Sequence, residues 1–187
     1  MVTTMGRISL PESTAPGPTK PAVRALVLWK LDLEPDDHVV DVGAGTGAVT
    51  LEAAQVADRV TAIERDPDRV AAIRTNREAS TVEGTVSVTQ AVAPEGLPDA
   101  ADAVFVGGTR NLDGVLDWIE QVAPRTVVLN AARLETAVRA ITEFRARDFD
   151  PEIRRIAIGT GQELAGETAI EPQRPVYMIA GTPGGGA

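Results

Sequence analysis

The chain has 187 residues, of which 43% are hydrophobic, so one domain is long enough to bury a substantial core. It contains no cysteine, which excludes disulfide bonds and thiolate metal sites, and a single histidine, His38. Its 27 acidic and 18 basic residues give a formal net charge of −9, without any basic run that would neutralise nucleic-acid phosphates. We therefore expect a protein that binds no metal and no nucleic acid.

No stretch of the sequence is typical of a membrane protein. No apolar run approaches the roughly 18 residues that cross a bilayer. The first residues, 1–7, also lack the apolar core of a signal peptide. We expect a cytoplasmic protein without a membrane partner.

The apolar pattern predicts alternating strands and helices along most of the chain. Residues 1–18 form an irregular leading segment rich in proline, and a helix is predicted from Thr19 onwards. Five short apolar or alternating runs follow, as in the strands of a buried parallel sheet. The predicted strands are residues 39–42, 60–63, 85–89, 103–106 and 126–129, and the predicted helices are residues 48–54, 66–79, 112–122 and 133–147. The last helix has the most regular apolar face, which consists of Leu134, Val138, Ile141 and Phe144.

The C-terminal part of the chain changes character. Two strands are predicted at residues 153–158 and 176–180, with no clear helix between them, which indicates an antiparallel finish. Residues 181–187 are predicted to be a flexible tail. The sequence thus predicts a single α/β domain over residues 1–187. Its sheet is doubly wound, mostly parallel and seven-stranded, with one antiparallel C-terminal strand.

The most informative stretch runs from a strand containing Asp41 through a turn with three glycines into a helix. Glycines allow a tight turn and bring backbone N–H groups close to a ligand at the positive end of the helix. Glu64 ends the next predicted strand, 21 residues after Gly43, where an acid in a βαβ nucleotide site accepts the ribose hydroxyls. The unit therefore predicts an adenosine-containing cofactor. The residues predicted to bind it are Asp41, Gly43, Ala44, Gly45, Thr46, Gly47 and Glu64.

The glycine spacing alone does not select the cofactor, because Gly43, Gly45 and Ala48 also satisfy the dinucleotide fingerprint. Asp41 favours S-adenosylmethionine, since a carboxylate there would crowd a pyrophosphate but can face a cationic amino-acid group. Hydride-transfer machinery is also lacking, because both lysines lie upstream of the loop. We expect S-adenosylmethionine, with a dinucleotide module or a plain strand–helix turn as the alternatives.

In a doubly wound sheet the ligand lies across the carboxyl ends of the strands. This rule selects four loops, at residues 43–47, 64–66, 90–95 and 107–111. In the last of them, two glycines permit close approach of a substrate and Arg110 faces an anion. The alternative for this loop is a plain turn with a solvated arginine.

Several motifs together carry a family resemblance. The sequence Pro16-Gly17-Pro18-Thr19-Lys20 precedes an Asp-Val-Gly-x-Gly-Thr-Gly-x-Val-Thr-Leu-Glu motif at residues 41–52. The similarity continues at residues 59–67, at Ala93-Pro94-Glu95, at Val106-Gly107-Gly108 and at Arg174-Pro175-Val176. Over nearly the whole chain these segments resemble the decarboxylating cobalt-precorrin-6B C15-methyltransferases of cobalamin biosynthesis, which are class I methyltransferases.

The resemblance implies a reaction and a set of contacts. It implies methylation of C15 of cobalt-precorrin-6B by S-adenosylmethionine, with decarboxylation of the C12 acetate chain to give cobalt-precorrin-7. It also implies that Thr19 and the backbone near Ala93 contact the cofactor, and that the protein is a homotetramer. Because such a corrinoid substrate carries several carboxylates, we expect cationic contacts. The candidates are Lys20, Arg24, which is alternatively a surface helix residue, and Arg110.

The reaction needs no strong base, since an electron-rich carbon of the tetrapyrrole attacks the methyl group directly. No residue is therefore predicted to act as a general acid or base, and catalysis is expected to depend on alignment. Two positions depart from the family pattern: Ala91-Val92 stands where the family has Gly-Asp, and Thr109-Arg110-Asn111 replaces a glycine-rich continuation. Two alternatives stay open, namely a methyltransferase for RNA or protein and a catalytically silent cofactor-binding protein that serves a partner complex.

Overall fold

The computed structural model describes residue 8 and residues 10–11, 19–108 and 110–184. Most of the predicted irregular segment, Thr109 and the last three residues of the predicted tail lie outside this part of the chain. The helices are α1 (Pro21–Leu31), α2 (Ala48–Ala53), α3 (Pro67–Glu78), α4 (Leu112–Val122) and α5 (Leu134–Ala146). The strands are β1 (His38–Val42), β2 (Arg59–Glu64), β3 (Thr85–Gln90), β4 (Ala103–Val106), β5 (Thr126–Ala131), β6 (Phe149–Ile156), β7 (Gly159–Leu164), β8 (Glu167–Pro172) and β9 (Val176–Pro183).

Seven strands form one sheet in the order β3-β2-β1-β4-β5-β9-β6, and β7 and β8 form a separate antiparallel hairpin. The first five strands pair in parallel, whereas β9 runs antiparallel to both of its neighbours. The predicted α/β class and the mostly parallel seven-stranded sheet with one antiparallel C-terminal strand are therefore confirmed. The strand order changes direction between β1 and β4, and this switch point is where a doubly wound sheet opens a crevice at its carboxyl edge.

The sheet is buried on both faces because successive side chains of a strand point to opposite sides. One apolar layer combines Val40 and Val42 with residues of α4 and α5, and the other combines Val39 and Phe105 with residues of α1 and α2. The ends of the strands, rather than their faces, are therefore left to bind a ligand. No helix in the described part of the chain is long and apolar enough to cross a membrane.

The predicted apolar face of α5 is wrong in its first half. Ala137, Ala140 and Phe144 are buried, whereas Leu134 and Val138 are 55% and 54% exposed. The helix packs through Ala137 and Ala140, which are small enough to let it lie close to the sheet. The regular spacing of the larger apolar residues therefore indicated the helix but not the side that it buries.

The predicted tail begins too early. β9 continues to Pro183, and a Cβ atom at Gly181 would lie 2.7 Å from a ring carbon of Phe144, so Gly181 is packed against α5. The β7–β8 hairpin was absent from the prediction because its strands are exposed and carry no regular apolar alternation. Its turn residues, Ala165 and Gly166, have φ of 52° and 86°, as a two-residue hairpin turn requires.

Candidate functional site

A glycine-rich loop joins β1 to α2 at the switch point of the sheet. Gly43 and Gly45 have φ of +76° and +61°, a region that glycine adopts without steric penalty. The N–H groups of Gly43 and Ala44 donate to the Ile63 carbonyl at 2.8 and 3.1 Å, which ties the loop to the end of β2. A Cβ atom at Gly43 would lie 2.6 Å from the backbone nitrogen of Gly108, so the loop also packs against the segment that follows β4.

The Glu64 carboxylate joins the glycine loop to the segment that follows β2. Glu64 is 4% exposed, and its Oε2 atom accepts a hydrogen bond from the Gly45 N–H at 2.9 Å. Its Oε1 atom accepts from the N–H groups of Arg65 and Asp66 at 2.9 and 3.0 Å. An ionised carboxylate offers about four lone-pair sites, so these three bonds leave capacity for a ligand hydroxyl.

A cavity of about 240 Å³, here called the first cavity, opens beside Glu64 at the carboxyl edge of the sheet. Four of the predicted site residues line it, namely Gly43, Glu64, Ala93 and Arg110. Apolar side chains and backbone from the loop after β3 form another part of its wall. The buried acid and this apolar wall suit a ribose and a flat aromatic base.

A second cavity, of about 520 Å³, lies on the other side of the glycine loop. Gly43, Arg69 and Gly107 line both cavities, so the two meet along that loop. The walls of the second cavity come from the start of α1, the ends of β4 and β5 and the segment before β9. The predicted residues that line it are Thr19, Lys20, Gly43, Ala44, Gly45 and Thr46.

Two predicted cofactor residues, Asp41 and Gly47, line neither cavity. Gly47 has a φ of +83° and directly precedes α2. Asp41 is 1% exposed, and its Oδ2 atom accepts a hydrogen bond from the Thr50 hydroxyl at 2.6 Å. Burial raises the pKa of Asp41 to about 7, although the hydrogen bond from Thr50 opposes the shift. Its Oδ1 atom is buried and has no hydrogen-bond partner among the described residues.

The three predicted substrate contacts lie in three different places. Lys20 lines the second cavity, and its ammonium group lies 3.5 Å from the Arg174 carbonyl, to which it donates. Arg110 lines the first cavity, on the same side of the glycine loop as Glu64 and Ala93. Arg110 therefore lies beside predicted cofactor residues, and its contact with the substrate stays a prediction.

Arg24 is a buried residue of α1, so the alternative of a surface helix residue is wrong, and its contact with the substrate stays a prediction. It is 6% exposed and lines neither cavity. Its guanidinium donates to the Thr19 carbonyl at 2.5 Å and to the Glu52 carboxylate at 2.7 Å. Arg24 therefore fixes the backbone of Thr19 at the edge of the second cavity.

Three polar residues that line the second cavity were not predicted from the sequence, namely Arg69, Asn130 and Arg174. Asn130 comes directly after the last predicted residue of its strand, where the carboxyl-end rule would have selected it. Arg174 lies in a segment noted only for its family resemblance, because nothing local indicates that it returns to the site. In the part of the chain that the structure describes, no group of three or more His, Cys, Asp or Glu residues is placed to hold a metal ion.

The seven-stranded sheet with its reversed strand, the glycine loop at the switch point and the buried acid at the end of β2 define a class I methyltransferase. Comparisons with known proteins narrow this class. The family model described as a precorrin methyltransferase domain matches residues 17–182. The chain therefore belongs to the precorrin methyltransferase family.

Relatives and solved structures agree with this assignment. The chain is 45% identical over 181 residues, 97% of each chain, to a protein of Halobacterium salinarum named probable cobalt-precorrin-6B C(15)-methyltransferase (decarboxylating). It is 44% identical over 171 residues, 87% of each chain, to the Salmonella typhimurium cobalt-precorrin-6B C(15)-methyltransferase (decarboxylating). Precorrin 8W decarboxylase from Methanobacterium thermoautotrophicum superimposes with a TM-score of 0.82 at 32% identity, over 89% of this chain and 92% of that one.

Proposed function

We propose that this chain is an S-adenosylmethionine-dependent C-methyltransferase that methylates C15 of cobalt-precorrin-6B and decarboxylates its C12 acetate chain, giving cobalt-precorrin-7. One observation carries the proposal: two cavities meet at a glycine loop, one beside a buried carboxylate and the other larger and edged by cations. The first suits a nucleoside and the second an anionic acceptor. The names of the relatives support this acceptor.

The residues of the first cavity fit the adenosine part of the cofactor. Glu64 is fixed by three backbone N–H groups and retains lone pairs for the ribose hydroxyls. Ala93 and its neighbours supply backbone and apolar contacts to the base, which replace the acid that the family pattern would place at Val92. Arg110 lies at the exposed edge of this cavity.

The amino-acid part of the cofactor follows the glycine loop into the second cavity. Gly43, Ala44, Gly45 and Thr46 present backbone there, opposite Thr19. Asp41 supplies a buried carboxylate two residues before the loop, and Gly47 gives the loop its final turn. When bound, S-adenosylmethionine supplies a sulfonium methyl group that an electron-rich carbon attacks without a strong base.

The rest of the second cavity binds the acceptor in this proposal. Lys20 and Arg174 line it and are joined by a hydrogen bond, so they form one cationic edge for the carboxylates of the corrinoid. Apolar residues such as Phe105 and Val176 line the same cavity and suit the face of the macrocycle. The protein then acts by holding acceptor and donor in line, which contributes up to about 7–11 kcal/mol in favourable cases.

The experiment that tests the proposal has two stages. Calorimetric titration with S-adenosylhomocysteine, with NAD as the control, is expected to show micromolar binding of the former alone. Incubation with cobalt-precorrin-6B and S-adenosylmethionine is then expected to yield a product with one methyl group more and one carbon dioxide less, detected by mass spectrometry. Binding without turnover would point to another acceptor, such as RNA or protein. Binding of neither ligand would mean that Ala91-Val92 has disabled the adenine site, and it would favour a catalytically silent protein that serves a partner complex.

We also propose that the protein is a homo-oligomer, a tetramer in line with its family. The β7–β8 hairpin exposes Leu164 and Ile170, which are 66% and 68% accessible and lie on opposite faces of the hairpin. A two-stranded hairpin is marginally stable alone in water, so a second copy of the chain is a suitable partner for it. Light scattering after chromatography is expected to give a tetramer and a smaller species for Leu164→Thr with Ile170→Thr. A monomeric wild type would contradict this assignment.

The cytoplasmic location and the lack of a nucleic-acid partner stay predictions from the sequence.

A further inference from the structure

Asn130 occupies a distinctive position in the second cavity. It lies near the carboxyl end of β5, one residue beyond the last pair that β5 makes with β4, so only β9 flanks it, through Met178. Its side chain lines the second cavity together with Ala131 and Ala132. The sheet therefore carries a polar amide to the end of a strand whose three preceding residues, 127–129, are apolar.

The Asn130 amide has an unsatisfied hydrogen-bonding atom beside this cavity. Its Oδ1 atom is buried and makes no hydrogen bond with any residue that the structure describes. A buried polar atom without a partner destabilises a protein by about 1–3 kcal/mol, so such an atom beside a cavity is typical of a binding group. Rotation of the side chain exchanges the carbonyl oxygen and the NH₂ group, so the amide can also donate.

The second cavity thus offers two kinds of group to a carboxylate. Lys20 and Arg174 are cations on the segments that lead into α1 and β9, and Arg69 of α3 is a third cation that lines both cavities. Asn130 is neutral and has alanines as its next two residues. A cation stabilises a carboxylate strongly, through both charge and hydrogen bonds. A neutral amide orients a carboxylate with less stabilisation of its charge.

This difference matters for a reaction in which one carboxylate leaves. In the decarboxylation, the bond between the acetate CH₂ carbon and the carboxylate carbon breaks, and its electron pair passes into the conjugated macrocycle. Carbon dioxide departs, and the CH₂ carbon takes a proton from water to become a methyl group. The departing group loses its negative charge, so a cation bound to it would stabilise the starting state more than the transition state.

We propose that Asn130 binds the acetate carboxylate that leaves as carbon dioxide, while Lys20 and Arg174 bind carboxylates that are retained. The assignment rests on the proposed function and divides the two halves of the reaction between different residues. Asn130 selects the arm and holds its C–C bond for cleavage. The cationic edge fixes the rest of the substrate.

The test is the ratio of two products, measured by mass spectrometry in single-turnover reactions with cobalt-precorrin-6B. Asn130→Ala is expected to accumulate a methylated product that retains the acetate carboxylate, with the decarboxylated share reduced about tenfold, as for the loss of one hydrogen bond to a charged group. Asn130→Asp has nearly the same shape and adds a repelling charge, so it is expected to reduce that share further. Lys20→Gln and Arg174→Gln are the matched variants, and they are expected to raise KM while leaving the ratio unchanged.

Two controls keep the outcomes distinct. The melting temperature and the affinity for S-adenosylhomocysteine show whether each variant folds and binds cofactor, and Asn130→Asp serves if Asn130→Ala does not fold. An unchanged product ratio in a folded Asn130 variant would overturn the assignment, as would a ratio that falls equally in Arg174→Gln. If the wild type forms no methylated corrinoid at all, the proposed function itself fails, which is a different result.

Discussion

The first and second cavities meet at one glycine loop but are built in different ways. In the first, the polar group is already satisfied by the protein, since Glu64 accepts three backbone hydrogen bonds. In the second, the Thr46 hydroxyl and the Asn130 carbonyl are buried and lack partners among the described residues. The first cavity is therefore fixed before a ligand arrives, as suits a cofactor common to many enzymes. The second completes its hydrogen bonds only with a ligand, the Thr46 hydroxyl with the cofactor and the Asn130 amide with the substrate in the proposed arrangement.

The two cavities also differ in how far apart their residues lie in the sequence. The main polar contacts of the first join residues 43–45 to residues 63–66, within one βαβ unit. The second draws together residues from Thr19 to Val176. The two cavities should therefore respond differently to substitution. Changes in the glycine loop should weaken cofactor binding most, and changes at the edge of one cavity should affect only the ligand of that cavity.

The largest expected effect is that of Gly43→Ala, which acts where the two cavities meet. The added Cβ would lie 2.6 Å from the backbone nitrogen of Gly108, a clash that no side-chain movement can relieve. The φ of +76° at this position also strains any residue that carries a Cβ atom. We expect binding of S-adenosylhomocysteine to weaken about 100-fold or more, together with a lower melting temperature.

Gly166→Ala is the matched control for this change. Gly166 has a similar φ of +86°, but nothing lies within 4 Å of its added Cβ, far from either cavity in the hairpin turn. It should lose a little stability and keep its affinity for S-adenosylhomocysteine. Equal losses of affinity in the two variants would mean that backbone strain alone, and not the contact between loops, explains the effect.

Glu64→Gln removes the charge of the carboxylate without changing the shape of the first cavity. The amide retains the size of the side chain but carries an NH₂ group that faces backbone N–H donors. Because hydrogen bonds to charged groups contribute about 1.5–3 kcal/mol, affinity for S-adenosylhomocysteine should fall about 10-fold to 100-fold in calorimetry. Glu52→Gln, which removes the acid paired with Arg24 outside both cavities, should lower stability without this loss of affinity. A Glu64→Gln protein with unchanged affinity would remove Glu64 from the ribose site.

These contrasts also show which parts of the molecule the sequence can reveal. The strands of the parallel sheet, the glycine loop, Glu64 and the cap at Asp66 could be predicted, because each depends on local apolar pattern or on short motifs. The buried Arg24–Glu52 pair could not, since it joins residues 28 positions apart and local sequence does not show that α1 and α2 meet. Arg174 enters the second cavity only because β9 inserts between β5 and β6, so that the segment before it lies at the carboxyl end of β5.

Asp41 makes the free energy of unfolding depend on pH. Its pKa is raised by burial from 3.8 to about 7, so between these values the folded protein holds a proton that the unfolded chain has released. The free energy of unfolding contributed by this group therefore decreases as pH rises from about 4 to 7 and stays low above that. Asp41→Asn avoids the buried charge, so at pH 8 it should stabilise the cofactor-free protein by up to about 4 kcal/mol, an effect that disappears near pH 4.

Denaturant unfolding at several pH values measures this effect. The affinity for cofactor is expected to change in the opposite direction. If Asp41 faces the cationic end of the cofactor, Asp41→Asn should bind S-adenosylmethionine more weakly at pH 8 even though the free protein is more stable. A variant that is less stable than the wild type at pH 8 would contradict the raised pKa.

The smallest expected effect distinguishes the edges of the two cavities. Arg110 lines the first cavity and is exposed, so Arg110→Ala should weaken S-adenosylhomocysteine binding only about twofold to fivefold, the range of exposed ion pairs. Lys20→Gln, at the edge of the second cavity, should raise the KM for the corrinoid and leave S-adenosylhomocysteine affinity unchanged. The loss for Arg110→Ala should shrink as salt is added, because exposed charges are screened within about 10 Å at 0.1 M salt. If Arg110→Ala instead raises only the KM for the corrinoid, Arg110 contacts the substrate. The acceptor would then reach across the glycine loop into the first cavity.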